Sequence, residues 1–246
     1  MPATTNHLVF TAPSDPNVPI WRYMDFPKYV AMLESQALFF ARAHLLGDPF
    51  EGSISKANLA LRPEVYKNAT IPNDAWKQLS SFTERIRFWT FVNCWHINEH
   101  ESAAMWRLYS ATHHAIAIRG TYAALCASLP SEAFIGLVRY IDYTTQWLPE
   151  GNSLWPFVHK RRSFEHEREL RAVIQQFPVE GNKLDLSKTP PEVGRLIPVP
   201  LNNLVSEVVV APTAPEWFRT LTVAVTKRYD FTFEVRQSQL DESPVF

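Results

Sequence analysis

Between His159 and Arg171 the chain reads His-Lys-Arg-Arg-Ser-Phe-Glu-His-Glu-Arg-Glu-Leu-Arg, then runs straight into apolar Ala172-Val173-Ile174. Five cations, three glutamates and two histidines thus meet the start of a core element. Ions leave water only when paired, because burying one alone costs several kcal/mol. The fold therefore has to bring counter-charges here, as a structural ion-pair lattice or as a site holding an anionic ligand beside a catalytic carboxylate. In a strand, Glu165, Glu167 and Glu169 would share one side; in a helix, Glu167 and Arg171 would be an i,i+4 pair on a solvated face. The Ala-Val-Ile that follows favours strand. Three carboxylates on one edge repel one another, and Arg22, Arg42, Lys160, Arg161 and Arg171 are the available partners. A carboxylate left uncompensated suits accepting a proton or stabilising a developing positive charge.

With 246 residues the chain is long enough for one domain with a proper core, expected over residues 18–246 behind a loose arm at 1–17. A net charge of -1 does not indicate a nucleic-acid partner, which usually selects a basic face. Cys94 and Cys126 are too few for a disulfide scaffold, and the polar first residues carry no signal-peptide pattern, so a cytoplasmic location is expected. No apolar run approaches the roughly 18 residues of a membrane span. Glycine is scarce, and no G-x-G-x-x-G or Walker string occurs, which removes Rossmann and P-loop readings.

Taken in order, Pro19 to Met24 reads as an aromatic strand, and Asp25 caps a helix with Phe26, Val30 and Leu33 on one face. Leu38 to Ala41 is a buried strand with Arg42 at its end, and Gly47 to Gly52 is a turn by its Gly/Pro chemistry. Residues 53–72 look irregular. A helix is predicted from Asn73 to Arg87, a strand over Trp89 to Trp95, a helix capped by Ser102, and a strand over Ala115 to Arg119. Thr121 caps a short helix that Pro130 ends, and Phe134 to Tyr143 reads as one longer strand. Residues 144–156 and 178–193 are loops. Leu204 to Val210 is a strand, Thr213 to Glu216 a capping box, and Trp217, Phe218, Leu221 and Val225 an inner helix face, with Phe231 to Val235 a last strand. Strands and helices interleave irregularly, so the expected class is α+β, a single domain with a twisted mixed sheet flanked by short helices.

His96-Ile97-Asn98-Glu99-His100 matches the H-x-x-E-H zinc string, which needs a helix to aim both histidines at one metal. Here it follows a strand-like run and reads as a loop. Met105-Trp106-x-x-Tyr109 is a helical stripe, core by default, whose Trp and Tyr can instead stack on a planar ring. His113-His114 reads as a turn before a strand. Trp21-Arg22-Tyr23 sets a cation inside an aromatic strand, where it needs a carboxylate or can anchor a phosphate through its fork of donors.

Trp21-Arg22-Tyr23, Leu38 to Glu51 with its Asp48-Pro49-Phe50-Glu51, Cys94-Trp95, Met105 to Tyr109 and Glu167 to Arg171 together resemble a widespread, mostly bacterial domain family of unknown function. More loosely, this plan is similar to ADP-ribosyltransferase-like folds. That resemblance implies NAD as the nucleotide ligand, with Arg22, Tyr23, Trp106, Tyr109 and Arg171 holding it and Glu167 or Glu169 as the catalytic carboxylate. The serine-rich motif common in those folds is absent, and His96 stands where the family has a small polar residue. Two other readings stay open. One is a metal-dependent phosphodiesterase or nuclease, with Asp48 or Glu51 joining Glu167 and Glu169 around magnesium. The other is a non-enzymatic recognition module whose charged stretch is purely structural.

Overall fold

A computed structural model describes residues 3–4, 6–72, 74–109, 114–181, 183–188 and 192–242. Its strands are β1 (Pro19–Asp25), β2 (Ala37–Arg42), β3 (Thr90–Ile97), β4 (Ala115–Thr121), β5 (Phe134–Leu137), β6 (Arg139–Ile141), β7 (His159–Arg161), β8 (Glu169–Gln175), β9 (Val179–Glu180), β10 (Lys183–Leu184), β11 (Gly194–Pro198), β12 (Glu207–Val210) and β13 (Glu234–Gln237). Its helices are α1 (Phe26–Ser35), α2 (Lys56–Val65), α3 (Ala75–Ile86), α4 (Ala103–Tyr109), α5 (Tyr122–Ser128), α6 (Leu201–Leu204) and α7 (Glu216–Arg228). The class is the expected one: α+β, one mixed sheet with short helices around it.

The main sheet runs β11-β2-β3-β1-β4-β12-β13, antiparallel except for the parallel β12–β13 pair. β3 is its pivot. Along its whole length it pairs with β8, from Thr90↔Gln175 to His96↔Glu169, and β8 in turn carries β5. β1 and β2 also pair with β3, but at different ends: Trp21↔His96 for β1 and Ala41↔Val92 for β2. Alternation divides β3 and β8 between two cores. Phe91, Trp95, Leu170, Ala172 and Ile174 enter the larger one, and Val92 and Val173 the smaller.

Local chemistry sets the boundaries where the sequence is explicit. Asp25 accepts the backbone N–H of Lys28 at 2.9 Å and starts α1, and Gln36, at φ 47°, ends it. Burial on α1 centres on Tyr29, Met32 and Leu33, whereas Phe26 and Val30 are half-buried. Ser102 and Thr121 cap α4 and α5 through the N–H groups of Met105 and Ala124.

Other expectations are corrected. Residues 53–72 hold α2, whose buried face is polar. Ser55 caps it, Asn58 bonds the Leu148 carbonyl at 2.7 Å, and Arg62 meets Glu150 at 2.8 Å. A helix fixed by hydrogen bonds leaves no apolar periodicity to read. The strand expected over Phe134 to Tyr143 breaks at Val138: β5 pairs antiparallel with β8, and β6 then pairs parallel with β7. Residues 178–193 are not all loop, since β9 and β10 pair. Leu204 ends α6, and its strand starts at Glu207. The last strand begins later than expected, at Glu234, leaving Phe231 buried in the core.

The α7 cap is Pro215, not Thr213. Its inner face is Phe218, Thr222 and Thr226, while Trp217 and Leu221 are exposed. Thr222 and Thr226 donate their hydroxyls to carbonyls one turn back, which lets them be buried, and Tyr29 then donates to Thr226 Oγ1 at 2.7 Å. The predicted start of α3 at Asn73 and half of the His113-His114 pair lie outside the described residues. No described helix is long and apolar enough to cross a membrane.

The segment expected to be a loose arm is packed. Val9 and Phe10 are buried, Phe10 stacks on Phe134 at 5.6 Å, and Leu137 donates its N–H to the Thr11 carbonyl at 2.8 Å. Gly136 permits this approach, because a Cβ there would lie 2.9 Å from both Phe10 Cβ and Thr11 N. Gly136→Ala should therefore lower the unfolding free energy by about 1–3 kcal/mol, the usual cost of overpacking, read from the urea midpoint. An unchanged midpoint would mean that the segment does not hold this position in solution.

Candidate functional site

The site lies where β1 and β2 part. Both share one edge of β3, but Asn93 to Trp95 fall between their pairing regions. The Phe39 carbonyl on β2 turns into this gap. It accepts Asn93 Nδ2 at 2.9 Å and Arg22 Nη2 at 3.1 Å, while Asn93 Oδ1 accepts Trp95 Nε1 at 2.6 Å. Side chains bridge what a ladder would have closed. A cavity of about 780 Å³ opens at this split. That volume fits a nucleotide-sized ligand, within the range usual for small-molecule sites.

The cavity brings together most of the residues singled out from the sequence. Arg22, Tyr23, Asp48, Glu51, Tyr109, Glu167, Glu169 and Arg171 all line it. Trp106 does not. It is buried in the larger core, edge-on to Tyr23, with its indole N–H donated to Glu101 at 3.1 Å. Glu165, expected beside Glu167 and Glu169 on one strand edge, sits instead in a 3₁₀ turn spanning Arg162–Glu167 and is exposed. Arg168, in the left-handed region at φ 40°, ends that turn and lets β8 start at Glu169. Strand begins at Glu169, as the Ala-Val-Ile run implies, and the residues before it form a turn.

Below the split lies the ion lattice. Arg171 is fully buried, and all five of its N–H groups are used. Nε and Nη2 reach Glu169 at 2.6 and 3.0 Å, Nη1 and Nη2 reach Glu51 at 2.8 and 3.0 Å, and Nη1 also bonds the Phe157 carbonyl at 3.0 Å. No donor is left for a ligand, so Arg171 positions two carboxylates and holds nothing else. Lys160 Nζ sits among the same acids, 3.4 Å from Glu51, 3.3 Å from Glu169, and hydrogen-bonded to Glu167. Lys160, one of the cations that the sequence offers as partners for these glutamates, is a buried hub. Asp48 is taken by Arg161, at 2.7 and 3.2 Å.

Two carboxyls of this lattice are driven in opposite directions. Burial pushes Glu169 up, but Arg171 and Lys160 outweigh it and bring the group down to about 2. Burial also pushes Glu167 up, and there Lys160, opposed by the charge of Glu169, does not restore it. Glu167 Oε2 takes Lys160; among the described residues no donor is bonded to Oε1. Glu167 is therefore the carboxyl with an open oxygen and an affinity for a proton, whereas Glu169 is an anion held in place.

A depressed folded-state pKa contributes stability above the unfolded value and loses it as pH falls through the folded one. For Glu169 that window runs from about 4.5 down to about 2. Glu167 has the opposite sign, since protonation relieves its strain. Urea unfolding should accordingly lose on the order of 2–3 kcal/mol across that window. In Glu169→Gln the loss should shrink; an identical slope in both proteins would contradict the lattice as described.

Arg22 has the reverse problem. It is half-buried, its one side-chain hydrogen bond is to the Phe39 carbonyl, and among the described residues no carboxylate lies within 4.0 Å. The carboxylates of the cavity, Asp48, Glu51, Glu167 and Glu169, are engaged with Arg161, Arg171 and Lys160. Desolvation brings its pKa down to about 10, against a smaller opposing pull from Cys94 and Tyr109. It stays cationic at neutral pH, a charge with no carboxylate partner among the described residues, at the wall of the cavity. Tyr109 lines the cavity with Phe39 and Leu196, all three exposed, and desolvation, together with Cys94 and Glu167, raises its pKa.

His96 and Ile97 end β3 and Asn98 to His100 form a bend, so no part of the H-x-x-E-H string is helical. Among the described residues no group of three or more His, Cys, Asp or Glu is arranged to hold a metal ion. Comparison with known proteins finds no matching family model, no similar curated protein and no similar solved structure.

Proposed function

We propose that the cleft binds an anionic nucleotide, NAD first, and that the protein is an ADP-ribosyltransferase-like enzyme of the uncharacterised bacterial family its motifs resemble. The observation that carries this reading is the pairing of an uncompensated cation with an excess of anions in one cavity. Arg22 supplies the anchor for a phosphate. At the lattice, Glu51, Glu167 and Glu169 face two cations, Lys160 and Arg171, which leaves one negative charge over when all are ionised.

Cleaving the bond between a ribose and a nitrogen base builds positive charge on the sugar, and an excess carboxylate fixed beforehand stabilises it without reorganising. Glu167 is the group with a free oxygen to face that charge, and its raised pKa suits it to take a proton from an attacking nucleophile. Glu169, Arg171 and Lys160 hold Glu167 and Glu51 in place. Tyr109 supplies a ring face for a base.

Glu167→Gln should lower turnover of NAD by about 10²–10⁴-fold while leaving the melting temperature within a few degrees, since Lys160 keeps Glu51 and Glu169. The check is a discontinuous assay of nicotinamide release alongside calorimetric NAD binding. Absence of both binding and turnover in the wild-type protein would remove the reading and favour a recognition module. The magnesium phosphodiesterase reading fits less well, because Asp48, Glu51 and Glu169 are each already bonded to cations. Chelator-sensitive cleavage of a phosphodiester would restore it.

A further inference from the structure

Two opposite charges line the cavity without meeting. Arg22 donates from Nη2 to the Phe39 carbonyl at 3.1 Å, and its Nε and Nη1 have no partner among the described residues. Glu167 is the reverse case: Oε2 takes Lys160, and Oε1 has no donor among them. Both residues are half-buried, and none of these three unpartnered atoms is buried, so the protein closes off none of them. The other charges of the cavity are spent. Glu51 and Glu169 meet Arg171, Asp48 meets Arg161, and Lys28 meets Asp25. One positive charge therefore remains at the split between β1 and β2, and one negative charge at the lattice.

A free cation and a free anion in one cleft attract, and side chains able to reach each other would pair. Here each is tied to a different wall. Arg22 is held towards β2 by the Phe39 carbonyl, which Asn93 Nδ2 also holds at 2.9 Å. Glu167 is held by Lys160, itself 3.4 Å from Glu51 and 3.3 Å from Glu169. Among the described residues no ion pair joins Arg22 to Glu167. The two charges are thus separated in advance, with their open atoms on one cavity.

We infer that the cleft selects a dipolar ligand, whose anionic group lies against Arg22 while a cationic group lies against Glu167. This rests on the NAD reading for the identity of the ligand, and adds which form of it binds. Oxidised NAD carries an anionic pyrophosphate and a positively charged nicotinamide ring; in the reduced form the ring is neutral. Two fixed opposite charges favour a ligand with the matching pair and discriminate against one that lacks either. The raised pKa of Glu167 does not oppose this, because a cation beside a carboxyl favours its ionised form. Selection acts on the charge of the ring before any bond breaks, separately from stabilising charge on the sugar later.

The test is titration calorimetry on the full chain with two dinucleotides that cannot be cleaved. One is NAD with a methylene in place of the oxygen of the nicotinamide ribose ring, which keeps the cationic ring. The other joins a benzamide ring to the ribose through carbon, which keeps the shape and is neutral. Wild type should bind the cationic analogue about tenfold more tightly, the scale of one opposite charge at a partly open site. In Glu167→Gln the two should come within about twofold of each other, because the cationic analogue loses its advantage. Arg22→Met should weaken both alike, since both carry the pyrophosphate. Far-UV circular dichroism and the melting temperature establish that the variants fold, and the wild-type ratio decides alone if Glu167→Gln does not. If wild type binds both analogues equally, or folded Glu167→Gln keeps the full preference, this inference alone falls. If wild type binds neither, the reading of the cleft falls, and the inference with it.

Discussion

Arg171→Met should destabilise the protein by about 3–5 kcal/mol, enough to unfold many domains of this size. Methionine fills the volume but leaves Glu51 and Glu169 facing each other in a dry site, each stripped of a two-point partner. Lys160, 3.4 and 3.3 Å from them, can compensate only one charge. The cost comes from stranding the acids and not from losing a favourable pair, because burying two ions offsets most of their mutual attraction. That distinction is measurable. Adding Glu51→Gln and Glu169→Gln to Arg171→Met should recover more than half of the lost unfolding free energy in urea titrations. If the triple variant is no more stable than Arg171→Met, the lattice is not what sets the stability of this region.

Arg22→Met should act in the opposite direction on stability and strongly against binding. The guanidinium is desolvated without a counter-charge, so removing it while keeping its hydrocarbon length should raise the unfolding free energy by about 1 kcal/mol or more. Loss of a charge-assisted phosphate contact in a low-dielectric cleft should weaken NAD by about 100-fold, corresponding to roughly 3 kcal/mol. Arg22→Lys keeps the charge without the fork and should fall between. Thermal melts with and without NAD read both effects: a higher melting temperature for the free variant, and a smaller rise when NAD is added. Residues held in an unfavourable state for the sake of a ligand behave this way. A lower melting temperature with unchanged NAD affinity would make Arg22 a structural residue after all.

Several parts of the site were legible because a single local rule decided them. The strand content of 169–175 follows from an apolar run bounded by charge, and Glu169 and Arg171 share a face of it through simple alternation. Asp25, Ser102 and Thr121 announce their helices by capping chemistry. Tyr109 was identified by helical spacing, Arg22 by its position in an aromatic strand, and the Asp48 to Glu51 turn by its Gly/Pro content. Other parts carried no such signal. The helix over Lys56–Val65 is held by Arg62, Asn58 and a glutamate about ninety residues away, which no window of sequence contains. His96 opens a string that reads as a loop, and Lys160 is legible as a partner for the glutamates but not as a buried one, since nothing local reveals that an element elsewhere will cover them. Trp106 takes the core role that is the default for a helical stripe, and the stacking role implied by the resemblance does not fit it, because a buried helical face and a ligand-facing one share the same spacing.

By itself the sequence determined the class of the fold, the charge density that any fold of this chain must neutralise, and the residue types that would do so. Tertiary structure decided who pairs with whom. Because β1 and β2 pair with opposite ends of one strand, the sheet opens a cavity between them, and because Arg171 has only five N–H groups, all taken by Glu51, Glu169 and a carbonyl, it cannot also serve a ligand. Ion pairing acts over a few ångströms of space and is indifferent to separation along the chain, which is why the stretch from His159 to Arg171 showed that a lattice was needed but not which acid would be left with an open oxygen.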